Sequence, residues 1–192
     1  MIERDKLFPA KVVVYSILAA GAILTLFGCA VRHLPSGATA PATRLEQVLV
    51  WNAALAQAND GFADNVIGLQ RAGFLGMNEA KAILLRQAAI ADADNALLLQ
   101  LRGASQCAVA AAGPNPSPAA LDAAGSSCAQ VSAAALKNEL NAITAAVADL
   151  NNAGVLAVKD PAKRQALTAL LLTTAQLVAN IVDALTKGGI LH

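Results

Sequence analysis

The sequence predicts an all-α protein, a hydrophobic N-terminal signal or anchor helix followed by a four-helix bundle. Three observations carry that expectation. Hydrophobic residues make up 56% of the chain but aromatics only 3%, so the apolar surface comes from Ala, Leu and Val, which suits closely packed helices better than a β-sandwich. Apolar residues recur at helical spacing through four segments after residue 43. Gly, Pro and Asn stand at the ends of those segments, where caps and turns need them. With 192 residues, the chain has room for one domain and a short appendage.

The appendage comes first. Arg4, Lys6 and Lys11 precede an uncharged run over residues 12–31, which as a helix would span about 30 Å, the thickness of a bilayer's hydrocarbon core. The run closes on Leu26-Phe27-Gly28-Cys29. This resembles the lipobox of bacterial lipoprotein signal peptides: Leu26, Gly28 and Cys29 fit the pattern, while Phe27 stands where a small residue is usual. The resemblance implies cleavage before Cys29, lipidation of Cys29 and a main domain that is periplasmic or extracellular. The alternative is an uncleaved transmembrane anchor over residues 1–31, in which the basic residues favour a cytoplasmic N-terminus and Cys29 is a small apolar side chain. Residues 32–43 are rich in Pro, Gly and small residues, and predict a flexible tether.

The first bundle helix is expected to begin at Thr43, because Glu46 three residues on completes a capping box. Leu45, Val48, Leu49, Leu55, Phe62, Val66 and Leu69 keep its period, Gly61 is a soft spot within it, and Gly73 ends it in a left-handed turn. Asn78 is the expected cap of a second helix that carries Ile83, Leu84, Ile90, Leu97, Leu98 and Leu101 and stops near Gly103. These form hairpin one, residues 44–106. Residues 107–126, with Pro114, Pro116 and Pro118, predict a linker, since each proline removes an amide donor.

Hairpin two covers residues 127–192. Its first helix starts near Ser127, with Leu136, Leu140, Ile143, Val147 and Leu150 as a heptad seam. Its second has Asp160 as cap and Pro161 in the first turn, runs through Leu167, Leu170, Leu171, Leu177, Val178, Ile181 and Leu185, and stops at Gly188 and Gly189. The halves align at a shift of 81 residues, with Ala72-Gly73-Phe74-Leu75 on Ala153-Gly154-Val155-Leu156, which suggests a duplicated hairpin.

Few residues offer chemistry. His33 and His192 are the only histidines and neither sits on a bundle helix; a Glu-x-x-His metal pairing and a Cys-x-x-Cys-His haem motif are both lacking. No cofactor is expected. Serines and threonines have no histidine base on the body, and Gly68, Gly73 and Gly76 lack phosphate-loop spacing. Asp92 and Asp94 point to different faces of one helix while Asp60 and Asp64 share a face, and all four read as solvated surface. From Cys29 onward there are eleven basic and eleven acidic residues, so no basic field attracts nucleic acid. Cys107 and Cys128 flank the linker, and in an exported body they are expected to form one disulfide.

The chain therefore reads as non-enzymatic: a tethered bundle with a structural or protein-interaction role. A protein partner or a second copy would cover the last helix, which is apolar on more than one face. A first alternative is a carrier or sensor of small apolar ligands, with hairpins parting at Gly61 and Gly154. A second is a small subunit of a membrane complex, held by an uncleaved transmembrane helix.

Overall fold

The computed structural model describes residues 31–33, 39–41 and 43–191. Residues 12–30 of the hydrophobic run, Cys29 among them, lie outside these residues. Among the described residues the chain is helical throughout its body, with five α-helices and one short antiparallel ladder ahead of them. The ladder pairs β1 (Val31–His33) with β2 (Thr39–Pro41) in the register Val31 to Pro41, Arg32 to Ala40 and His33 to Thr39. The stretch expected to be a flexible tether thus has paired backbone at both flanks. Pro41 is tolerated there because it sits at a strand end, where a missing amide costs little.

Helix α1 (Arg44–Arg71) starts where the capping box requires. The Glu46 amide donates to Thr43 Oγ1 at 3.3 Å, and the Thr43 amide donates to Glu46 Oε2 at 2.8 Å. Together these satisfy two amides that would otherwise lack partners. We expect Thr43→Ala to cost about 1 kcal/mol, read as a lower urea midpoint at unchanged slope; an unaltered midpoint would show that packing alone fixes this end. At the far end Gly73 takes φ +74°, and the Phe74 amide donates to Leu69 O at 2.9 Å, a left-handed stop that only glycine enters without strain.

Helix α2 (Met77–Ala112) departs from expectation at both ends. Its cap is Gly76 rather than Asn78, and Glu79 Oε2 accepts from the Gly76 amide at 3.0 Å. It does not stop near Gly103 but continues for two more turns. A helical glycine costs about 1 kcal/mol, and burial of Leu101, Ala104 and Ala108 along one face more than offsets that.

The linker is correspondingly shorter than residues 107–126, because only residues 113–117 are non-helical. Helix α3 (Pro118–Val131) begins nine residues before Ser127. Ser117 Oγ accepts from the Ala120 amide at 3.2 Å, and Pro118 occupies the first turn, where it has no amide to lose. A one-residue break at Ser132 separates α3 from α4 (Ala133–Asp149), whose seam Leu136, Leu140 and Ile143 is buried as read.

After α4 the chain widens into a π-helical segment (Leu150–Val155) and then turns into α5 (Pro161–Lys187). Asp160 Oδ1 accepts from the Ala162 amide at 2.9 Å, which matches the expected cap, and Gly189 with φ +68° closes the helix. The two turns aligned by the apparent duplication differ. Gly73 is left-handed, whereas Gly154 is buried inside the π segment, where a β-carbon would lie 3.0 Å from Leu150 Cδ1. Leu75 is buried but its aligned Leu156 is exposed.

Helix α1 packs broadly on α2 and α5; α2 packs on α1, α3 and α4; α4 meets α5 over a smaller area. One core runs through all of them, with Leu55, Phe62, Ile83, Ile90, Leu136 and Ile181 fully enclosed.

Candidate functional site: a buried polar seam

Beside Ala54, the buried residues of α1 are Leu45, Val48, Asn52, Leu55, Asn59, Phe62 and Val66, spaced alternately three and four apart as in a coiled-coil seam. Beside Ala93 and Ala108, those of α2 are Ala80, Ile83, Gln87, Ile90, Asp94, Leu97, Leu101 and Ala104, with the same alternation. The helices run antiparallel, and two hydrogen bonds fix their register. Asn52 Nδ2 donates to Asp94 Oδ1, and Gln87 Nε2 donates to the Asn59 carbonyl at 3.3 Å. Asn59 is seven residues after Asn52 and Gln87 seven before Asp94, so both bonds belong to one register, one heptad apart. Thr174 adds a buried polar position on the α5 seam between Leu171 and Val178.

Among the described residues Asp94 is the one buried carboxylic acid, only 4% exposed. Burial raises its pKa from the ordinary 3.8 to about 6; the Asn52 amide draws it partly back, and the Asp60 carboxylate pushes it up again. This corrects the sequence reading of Asp94 as solvated surface. Position 94 falls four residues after Ile90 and three before Leu97, which places it on the inward face. Asp92, Asp60 and Asp64 are exposed as read.

A lone buried carboxyl with an amide partner can hold or release a proton near neutral pH, but among the described residues no nucleophile or imidazole is placed beside it to make an acid-base pair. The groove of about 330 Å³ on the body lies between the end of α1 and the start of α2, and none of its walls is a seam polar residue. Among the described residues no group of three His, Cys, Asp or Glu side chains gathers as a metal site.

The remaining candidates fall elsewhere. The sulfurs of Cys107 and Cys128 stand at bonding distance, with Cα atoms 5.9 Å apart, and join the end of α2 to the middle of α3. Cys107 is exposed and Cys128 buried. Of the two glycines read as a hinge, Gly61 sits within helix α1, and a β-carbon on Gly154 would lie 3.7 Å from Ile83 and Arg86 of α2. Comparison with protein-family models, curated proteins and solved structures finds no match for this chain.

Proposed function

We propose that the chain is a membrane-tethered, non-enzymatic helical-bundle protein of the cell exterior or periplasm, serving a structural or protein-interaction role. In this reading α3 and α4 act end to end as one broken rod, and with α1, α2 and α5 they close a four-rod bundle. The observation that carries the role is the seam. Its layers are filled by the protein's own side chains, with Asn52 bonded to Asp94 and Gln87 to the Asn59 backbone carbonyl across the helix pair. Polar layers in a helical seam fix register at some cost in stability, which suits a body that presents a rigid outer face.

The face offered to a partner or a second copy is on α5. Leu172 is 64% exposed and Val182 is also exposed, and the helix is long and apolar enough to cross a membrane by length and composition. Its packing on α1 supports a place in the body instead. The tether rests on Leu26-Phe27-Gly28-Cys29, and the pairing of Cys107 with Cys128 agrees with an oxidising compartment.

Intact mass of protein purified from bacterial membranes, compared with a Cys29→Ala variant, tests the tether. A chain beginning at Cys29 with added acyl groups, both lost in the variant, is the expected result. An unmodified chain that keeps residues 12–28 would make the run a transmembrane helix and move the protein among membrane-complex subunits.

A further inference from the structure

We propose that Cys107 is the sulfur at which an incoming dithiol opens the bridge to Cys128, and that α3 is a strap which this exchange releases from the Thr43 end of α1 and α2. The two halves of the bridge differ in access. Cys107 is exposed near the end of α2, whereas Cys128 is 8% exposed on the inward side of α3. A thiolate therefore reaches Cys107 Sγ, and Cys128 is the sulfur that leaves.

The exchange balances within the two dithiols. As the donor sulfur bonds to Cys107 Sγ, the bond from Cys107 to Cys128 breaks, and Cys128 departs as a thiolate that takes a proton. The donor's second thiol then attacks the donor sulfur of the mixed disulfide. Cys107 leaves as a thiolate and is protonated in turn, and the donor ends as its own disulfide, having passed a pair of electrons to the cysteines.

What the bridge holds is a lightly anchored helix. Among the described residues α3 buries Leu121, Gly125, Cys128 and Ala129, a single large side chain, where α1 buries Leu45, Val48, Leu55, Phe62 and Val66. Its contact with its neighbours is backbone against small groups: a β-carbon at Gly125 would stand 3.7 Å from Leu45 Cβ and 4.0 Å from Ala108 Cβ. Two further ties lie at the surface, where such bonds contribute little. The Arg44 amide donates to Asp122 Oδ1 at 3.0 Å, and Gln130 Nε2 donates to the Gly189 carbonyl at 3.1 Å.

Both flanks of α3 are placed to turn. Residues 113–117 are non-helical on one side, and Ser132 leaves helical geometry at ψ 8° on the other. Burial of one leucine favours the closed strap by roughly ten- to a hundredfold. Closing a loop of 21 residues is worth about a hundredfold by chain entropy. The bridge thus counts for as much as the packing, and its loss leaves a strap that opens without unfolding the body. Opening uncovers Leu45 and Ala108, 6% and 4% exposed beneath it, beside the point where the chain enters α1.

Two measurements on the full chain test this. Glutathione added to the oxidised protein, with an acid quench and mass mapping, should leave its mixed disulfide on Cys107. A mixed disulfide chiefly on Cys128 would overturn the order of attack. After reduction, pulses of N-ethylmaleimide give the alkylation rate of each thiol. Cys107 should react freely and Cys128 through opening of α3, at a rate that stays nearly flat in low urea. Leu121→Ala, which removes the one large anchor, should raise that rate at least about tenfold. A Cys128 rate that climbs with urea along the slope of global unfolding would show that α3 leaves only when the body unfolds, and would overturn the strap.

Discussion

Asp94→Asn should make the protein more stable at neutral pH, by up to about 3 kcal/mol, and leave its stability near pH 4 unchanged. The folded pKa of Asp94 is about 6 against an ordinary 3.8, so the folded state prefers the protonated acid. For a group shifted in that direction, stability is greatest below the unfolded pKa and is lost as pH rises through the folded one. Two units at about 1.4 kcal/mol each set the ceiling. Above pH 6 the wild type carries a buried carboxylate, with Asn52 as donor and Asp60 as a repelling neighbour. An asparagine keeps the shape, accepts from Asn52 and carries no charge to desolvate.

The check is the difference in unfolding free energy between variant and wild type from urea titrations at several pH values. That difference should open between pH 4 and pH 6 and then stay level. A variant less stable than wild type at pH 7 would mean the carboxylate is held by partners beyond Asn52. The capping carboxylate Asp160 does not confuse the reading. Hydrogen bonds from the Lys163 amide and side chain lower its pKa, so its contribution is present above pH 4 and fades only as pH falls below that window.

The seam is specified by residues far apart in the sequence. Local signals were legible where the interaction is local: Thr43 with Glu46, Asp160 with Pro161, and the left-handed glycines 73 and 189 all act within one turn, so neighbouring residues specify them. At Gly103 and Pro118 the structure differs from the local signal because their effect depends on the rest of the fold. Gly103 stays helical because Leu101 and Ala104 are buried beside it, and Pro118 starts a helix because Ser117 caps it.

Asp94 differs from its local signal for a third reason. Its spacing from Asp92 established that the two face different ways without saying which faces inward. The answer lay in a gap in the apolar pattern. In α1 the seven-residue repeat of Leu45, Val48, Leu55, Phe62 and Val66 misses its beat at 52 and 59, and in α2 it misses at 87 and 94. Asn, Asn, Gln and Asp fill those beats. A polar residue there reads as surface when taken alone, and as a buried layer only when both helices are set in register.

Breaking the pair formed by Cys107 and Cys128 should cost about 3 kcal/mol, the chain-entropy value for a closed loop of 21 residues. The loss should have a distinctive pattern. Between the two cysteines lie the end of α2, the non-helical residues 113–117 and the start of α3. Gly113 and Asn115 there hold positive φ, at +74° and +56°. The bridge constrains this irregular stretch in the unfolded chain, while in the folded state α3 is also held by its packing on α2. Removal should therefore lower stability without dissolving either helix. In a Cys29→Ala background, which leaves two thiols, Cys107→Ala, Cys128→Ala and the double variant should lose the same amount, because each removes the same bond. Reductant should lower the urea midpoint of the parent and leave all three variants where they are. Cys107 is exposed, so reduction needs no prior unfolding. Alkylation of both thiols in the unfolded, unreduced parent would dismiss the bridge, and stabilities that fall in two separate steps across the single and double variants would instead describe two independent packing losses.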